Sequence, residues 1–464
     1  MQAEIRSIHF IGICGTAMAA TAGELKKQGY RVSGSDENVY PPMSTFLDRC
    51  GINVLAGYQE SNLDHTPDLV VVGNVVSRGN PEAERVLAEK RRYCSLPELL
   101  KEFFIRGKRS IVVAGTHGKT TTTSLLTWVF EHNGLHPSFL IGGLPENLGQ
   151  GARFTESDWF IIEGDEYDTA FFDKRSKFVH YLPEIAILNN LEFDHADIFD
   201  DLKDVQKSFS RLVRLVPRNG LLLASGDDQN LLSILDVDYC PILKFGLGDE
   251  NDLQAVELSS GKLFTEFRLG EKRFQLPLFG EFNVRNAMAV IACCRHCGIS
   301  DEGIQSAFDL FKGIKRRMEV RGEAGGITVI DDFGHHPTAI METMKAVRQR
   351  YPGQRLWAVF EPRSNTTRRN IFQKELAQAL ATADFSVIAE VARLSRLPEE
   401  LRLDPEQLLT DIESSGSKGS YLPDVSAIIE HLLADCRAGD VVCIFSNGGF
   451  GGIHEKFLAR LAGD

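Results

Sequence analysis

The run Val112-Val113-Ala114-Gly115-Thr116-His117-Gly118-Lys119-Thr120-Thr121-Thr122-Thr123 constrains this chain more than any other stretch. The apolar residues Ile111–Ala114 read as a buried strand. A glycine loop follows, and then a segment able to form a helix. Strand, loop and helix in this order make a phosphate cradle. Backbone N–H groups of the loop and the helix N-terminus face the anion, and Lys119 adds a point charge. The Thr120 hydroxyl is placed to reach Mg²⁺. The loop is the short Gly-x-x-Gly-Lys-Thr form, because Val113 and Ala114 stand where a longer loop has its first glycine. Its position directly after an apolar strand makes a nucleotide-phosphate site the better reading than a chance match.

Two later segments repeat the pattern of an apolar strand that ends in polar groups. Trp159–Ile162 leads into Glu163-Gly164-Asp165-Glu166-Tyr167-Asp168. Ligands of α/β folds bind at the C-terminal ends of strands, so Glu163 is placed as an acid that holds metal or water. The other three acids also fit a solvated turn. Ile185–Leu188 leads into Asn189-Asn190-Leu191-Glu192-Phe193-Asp194-His195. There His195 reads as a neutral imidazole metal ligand, against the bland reading of a capping or core histidine.

The N-terminal region has its own glycine turn. Strand Ile8–Ile11 is followed by Gly12-Ile13-Cys14-Gly15-Thr16, a helix to Gln28, and a strand from Arg31 that ends at Ser35-Asp36. This is a βαβ unit suited to a nucleotide-type diphosphate. Cys14 and Ala17 occupy two glycine places of the dinucleotide fingerprint, which disfavours a NAD-dependent oxidoreductase. Asp36 lies about where a ribose-binding acid would.

At 464 residues, size suggests about three domains. A net charge of −13 disfavours binding to nucleic acid or to an anionic membrane surface, so no nucleic-acid partner is expected. No apolar run reaches the ~18 residues needed to cross a bilayer. The first residues, MQAEIRSIHFIG, lack the pattern of a secretory leader. Nine scattered cysteines suggest free thiols in a reducing compartment, and the expected location is cytoplasmic. Cys294-x-x-Cys297 lies in an apolar helix-like run, Asn286–Gly298, where packing is the better reading.

Further along, Gly220–Ala224, Leu243–Leu247, Leu263–Leu269 and Arg273–Leu276 suggest additional, partly antiparallel strands. Asn283 and Asn286 share a face if the segment is helical. Lys312–Glu319 is basic and glycine-led. Strand Ile327–Ile330 ends in Asp331-Asp332-Phe333-Gly334-His335-His336-Pro337, with a helix expected from Pro337. The spacing of these acids and histidines matches no usual zinc pattern. Strands Leu356–Phe360, Phe385–Ala389 and Val441–Phe445 alternate with helices near 370–380 and 425–433. Segment 393–420 reads as loop and short helix. The expected fold is α/β in three domains: Rossmann-like at 1–107, a central P-loop ATPase-type domain with a mixed sheet at 108–317, and Rossmann-like again at 318–464.

The ordered set of the short P-loop, Glu163-Gly-Asp-Glu, Asp194-His195, Asn283-x-x-Asn286, Arg317 and Asp332 resembles the Mur ligases, the ATP-dependent amide-forming enzymes of cell-wall precursor chemistry. The resemblance implies ATP on Gly115, Thr116, His117, Gly118, Lys119, Thr120 and Thr121, with Asn283, Asn286, Arg317 and Asp332 closing over it. It implies Mg²⁺, as two ions, on Thr120, Glu163 and His195, and catalytic roles for Lys119, Glu163, His195 and Arg317. The N-terminal turn and Asp332-Phe-Gly-His-His-Pro resemble the branch acting on UDP-N-acetylmuramate. Gly12, Cys14, Gly15, Thr16, Ser35 and Asp36 would hold the UDP-sugar. His335, His336, Arg363, Ser446 and Asn447 would face the amine donor. Other branches carry a lysine, often carbamylated, some fifteen residues past the histidine, where this chain has Phe209-Ser210-Arg211. The extra residues in 163–180 and the Ser446–Gly452 loop resemble members that add the murein tripeptide L-alanyl-γ-D-glutamyl-meso-diaminopimelate rather than L-alanine alone. Oligomeric state is left open.

Overall fold

The computed structural model describes residues 4–40, 43–261, 263–391 and 394–463. Met1–Ala3, read above for a leader, and Arg393, where the irregular stretch was expected to begin, lie outside these residues.

Three α/β sheets organise the chain. The first has five parallel strands in the order Asn53–Ala56, Arg31–Asp36, Ser7–Ile11, Leu69–Val72, Tyr93–Ser95. The apolar runs Ile8–Ile11 and Leu69–Val72 are fully covered by helices on both faces, which is why they read as unbroken hydrophobic stretches. Helix Thr16–Lys27 leaves the glycine turn at the C-terminal edge of this sheet.

The central sheet has ten strands. Arg109–Ala114 lies between Trp159–Gly164 and Ile185–Leu188, all parallel. Leu221–Ser225 and Ile242–Gly246 extend it in parallel, and Leu253–Ser260, Thr265–Leu269 and Lys272–Leu276 close that end as an antiparallel meander. The sheet is therefore mixed, as expected from the sequence. Helix Lys119–His132 packs against helix Glu281–His296 over the sheet face. Cys293 and Cys294 are wholly buried there, as packing residues.

The third sheet has six strands in the order Glu319–Ala324, Ile327–Asp332, Val441–Phe445, Leu356–Phe360, Phe385–Ala389, Lys418–Leu422. Only the first pair is antiparallel. Helix Pro337–Arg350 starts as expected, with the His336 side chain accepting from the Thr338 amide as its cap.

Three segments differ from the sequence reading. Segment 393–420 carries a helix, Pro405–Ser414, and an edge strand, Lys418–Leu422. That strand is only partly covered and has no apolar run to announce it. Leu96–Phe104, whose amphipathic pattern predicts one helix, is α-helical only to Leu100 and continues as a wider π turn over Lys101–Ile105, which seats Phe104 and Ile105 in the core. The extra residues after Glu163 form an antiparallel hairpin, Asp168–Ala170 with Asp173–Ser176. Its tip is anchored on the first domain, where the Phe172 ring sits 4.9 Å from that of Tyr93.

Candidate active site

The register of the central sheet brings three loop starts level. Val113 pairs with Glu163 on one side and with Ile187 on the other. The P-loop, the acidic turn and the Asn189–His195 loop therefore open side by side onto one cleft of about 3470 Å³ between the three sheets.

Gly118 turns the P-loop with φ +78°, and a Cβ there would meet Asn286 Oδ1 at 2.6 Å. Both the left-handed backbone and the close approach require glycine. No side chain caps helix Lys119–His132, so its first amides are left for an anion. Lys119 Nζ donates to Gly115 O and to Glu166 Oε2, both at 2.7 Å. Asn283 and Asn286 are buried and joined at 3.2 Å on one helix face beside Gly118.

Thr120 Oγ1 lies 3.3 Å from Glu163 Oε2, and the other Glu163 oxygen accepts from the Gly142 amide at 2.8 Å. Burial, with Asp165 adding repulsion, pushes Glu163 up to about 7. A buried carboxylate beside a hydroxyl, with so little to neutralise it, fits a hard divalent cation. Asn189 Oδ1, also buried at this loop, has no hydrogen-bond partner. Thr120, Glu163 and the P-loop amides are thus a fit for Mg²⁺ and nucleotide phosphate.

Sequence reasoning ranked Glu166 below Glu163, yet Glu166 is the hub of the site. Its oxygens take Lys119 at 2.7 Å and His195 Nε2 at 3.0 Å, and it is 3% exposed. Burial alone would raise its pKa, but Lys119 and then His195 outweigh it and hold it down to about 2. His195, at φ +54°, is raised by the same contact against the effect of burial. Glu166 lies in the turn beyond the strand, and nothing in the linear sequence separates it from its acidic neighbours.

The third domain reaches into this cleft. Arg317 Nη2 donates to Thr120 Oγ1 at 3.2 Å, and its guanidinium lies over the Phe333 ring at 5.0 Å. Asp332 accepts from the Gly334 amide at 2.7 Å and the Met318 amide at 2.8 Å. Burial raises its pKa, opposed by Arg317. Further on, Thr338 Oγ1 donates to Glu192 at 2.6 Å, Thr366 Oγ1 to Asp194 at 2.9 Å and Asn365 to Asp197 at 2.8 Å. His335 Nε2 stands 3.7 Å from Asp194. These contacts dock the third domain on the Glu192–Asp197 loop. The four acids and histidines of 331–336 disperse: Asp331 faces His454, Asp332 holds backbone amides, His335 faces Asp194 and His336 faces Phe193 O.

At the first glycine turn, Gly12 has φ +85°, and its amide and that of Ile13 donate to Ser35 O. Asp36 takes the Cys14 and Asn38 amides, both at 2.9 Å. Gly12, Cys14, Gly15, Thr16 and Asp36 line the cleft. Gly115 lies just behind the cleft wall, and two expected side chains do not face the cleft. Ser35 is wholly buried and donates its hydroxyl to Glu82 at 2.7 Å, because it points inward from its strand. Ser446 is wholly buried and donates to Glu361 at 2.5 Å. Arg363 and Asn447 do line the cleft. A Cβ on Gly448 would come within 2.0 Å of Arg363 Nη1, so this glycine makes room for the arginine. In the Phe209-Ser210-Arg211 stretch, Phe209 is a fully buried core residue.

Three α/β domains around a P-loop whose lysine, threonine and neighbouring acid meet an arginine from another domain define a nucleotide-dependent ligase, and the chain belongs to the Mur ligase family. Residues 7–108 match the Mur ligase family catalytic domain, 113–294 the Mur ligase middle domain and 316–448 the Mur ligase glutamate ligase domain. It is an ATP-dependent, amide-bond-forming ligase. The chain is 44% identical over 98% of both chains to the UDP-N-acetylmuramate–L-alanyl-γ-D-glutamyl-meso-2,6-diaminoheptandioate ligase of Escherichia coli K12. It is 33% identical to the UDP-N-acetylmuramate–L-alanine ligase of Acetivibrio thermocellus, over 98% of this chain and 96% of that one. The crystal structure of a murein peptide ligase from Psychrobacter arcticus superposes with a TM-score of 0.72 at 37% identity, covering 99% of each chain. Among the described residues, no helix is long and apolar enough to cross a membrane.

Proposed function

We propose that this chain joins the tripeptide L-alanyl-γ-D-glutamyl-meso-diaminopimelate to UDP-N-acetylmuramate, as a cytoplasmic enzyme of peptidoglycan recycling. The observation that carries this reading is the 44% identity, end to end, to a ligase of that name, against 33% to a ligase named for L-alanine. Arg363 and Asn447, which line the cleft from the third domain with room made by Gly448, support it, since a larger amine donor with extra carboxylates needs more wall and charge than alanine does.

Bound ATP supplies the phosphoryl group that turns the lactyl carboxylate into an acyl phosphate, releasing ADP; the peptide amine then attacks the acyl carbon and expels inorganic phosphate, losing a proton as the amide forms. The chain's own work is charge neutralisation and positioning. In this reading Lys119 leaves Glu166 for the nucleotide phosphates, joined by the amides of Gly115–Thr121. Thr120 and Glu163 would hold one Mg²⁺ and His195 a second, and the ions would neutralise charge on the phosphates. Arg317 steadies the charge that develops on the transferring group, and Asp332 fixes the backbone at Met318, next to Arg317, and at Gly334. Asn283 and Asn286 complete the nucleotide wall. Gly12, Cys14, Gly15, Thr16 and Asp36 hold the UDP-sugar, with Ser35 contributing only its carbonyl. His335, Arg363 and Asn447 face the peptide. His336 is 4% exposed and bonded at both ring nitrogens, so it serves the docking of the domain.

The test is phosphate release from ATP with UDP-N-acetylmuramate and either the tripeptide or L-alanine. Turnover is expected with the tripeptide. Faster turnover with free L-alanine overturns the reading in favour of an alanine ligase.

A further inference from the structure

His117 of the P-loop, Glu192 of the loop after Ile185–Leu188 and His336 of the third domain converge from three loops. Their donor atoms all lie within 4.8 Å of one another. His117 Nε2 and His336 Nδ1 each stand 3.5 Å from Glu192 Oε2. An ion with tetrahedral bonds of about 2.0–2.1 Å spaces its donors about 3.3–3.4 Å apart. Two of the three spacings are therefore close to ligand geometry, and the two imidazole nitrogens need only draw together around the ion.

We infer that His117, Glu192 and His336 form a binding site for a divalent transition ion of the zinc class, separate in every residue from Thr120, Glu163 and His195. Two imidazoles and one carboxylate suit such an ion better than magnesium, which prefers oxygen alone. Three protein ligands leave one position open to water or substrate.

The surroundings match what such a site requires. His336 Nε2 donates to the Phe193 carbonyl at 3.1 Å, the usual backbone support for a ligating histidine, and leaves Nδ1 as the lone-pair nitrogen. Thr338 Oγ1 donates to Glu192 Oε2 at 2.6 Å and orients the carboxylate. His117 Nε2 is buried and has no hydrogen-bond partner. Simple packing leaves that nitrogen with only the Glu192 carboxylate at 3.5 Å, outside a good hydrogen bond, whereas an ion between the two answers both. Burial and the neighbouring His117 hold His336 down to about 4, so the ring is neutral. Ligation displaces one weak contact, the 3.3 Å bond from the Thr338 amide to His336 Nδ1, and water can take over a first-turn amide. His336 belongs to the third domain, so a bound ion ties that domain to the P-loop.

The test uses the full chain, stripped of metal and held in excess Mg²⁺. Titration with Co²⁺ is expected to give one equivalent with the intense visible absorption of a four-coordinate ion, chased by Zn²⁺. Glu192→Gln and His117→Asn should each weaken binding at least about tenfold, since one ligand of three is lost. His335→Asn, whose ring faces Asp194 instead, should not. Absence of the band, or a band equally strong in both ligand variants, overturns the site. Wild-type protein gives a check that needs no variant: Zn²⁺ should slow diethyl pyrocarbonate modification of the part-exposed His117 but not of His335. Equal rates with and without Zn²⁺ overturn the inference and leave the ligase reading untouched.

Discussion

The chain contains two glycine turns of the same local design, and they treat charge in opposite ways. Each follows a buried strand that lies between two parallel neighbours and opens into a helix with no side-chain cap. At Gly12–Thr16 the turn has its own carboxylate, since Asp36 takes the Cys14 amide. At Gly115–Lys119 the chain supplies a cation and holds it in reserve, since Glu166 takes Lys119. The first turn is closed on itself and can offer a ligand only its remaining amides and its rim. The second keeps its helix amides open and must exchange one partner of Lys119 for another. A strand-to-helix glycine turn therefore does not define its ligand. The acid on the adjacent strand end does.

The largest expected effect comes from removing the mobile cation. Lys119→Ala should lower turnover by roughly 100- to 1000-fold, about 3–4 kcal/mol, as for loss of a preorganised charge. Steady-state phosphate release reads it, and near-normal activity would remove Lys119 from the phosphate site. Next is its reserve partner. Glu166→Gln leaves Lys119 buried without its carboxylate, at a cost of about 3 kcal/mol to the chain without nucleotide. Thermal melts should show this loss and a larger rise on adding Mg²⁺–ATP than the parent gives. An unchanged melting temperature would mean that the Lys119–Glu166 pair holds nothing in reserve.

A pH effect of intermediate size belongs to the second turn alone. Glu163 is raised to about 7. In the folded chain without metal it keeps its proton between the ordinary carboxylate range and pH 7, while the unfolded chain has already lost it. Stability from this group is present at low pH and falls as pH rises towards 7. Mg²⁺ must displace that proton, so its affinity should drop about tenfold per pH unit below about 7 and level off above. Calorimetric titrations at pH 6 and pH 8 decide this, and equal affinities would take Glu163 out of the cation site. The smallest effect is at the first turn. Asp36→Asn keeps an amide acceptor and loses a charge, so about 1 kcal/mol of stability and a less than tenfold change in the UDP-sugar KM are expected. A loss as large as that of Lys119→Ala would erase the contrast between the turns.

Much of the frame was legible as local pattern. Strands Ile185–Leu188, Leu356–Phe360, Phe385–Ala389 and Val441–Phe445 and helix Lys119–His132 fall where apolar runs and glycine loops put them, because fully covered parallel strands leave unbroken hydrophobic runs. Lys418–Leu422 escaped because an edge strand needs no such run. In the site, Lys119, Thr120, Glu163 and His195 stood out as polar residues at strand ends. Ser35 and Ser446 misled for the same reason, since a strand end fixes where a residue sits and not which way its side chain points.

The sequence by itself determined the class of the fold, the phosphate loop and the family, because each is written in short runs whose spacing has a direct physical meaning. Only the tertiary structure decided which charges answer one another. Lys119 and Glu166 are 47 residues apart, and Arg317 reaches Thr120 across 197. His117, Glu192 and His336 meet only because the third domain docks on the central one. Charges act through space, and the distances that set their strength exist only once strand register and domain packing have fixed them.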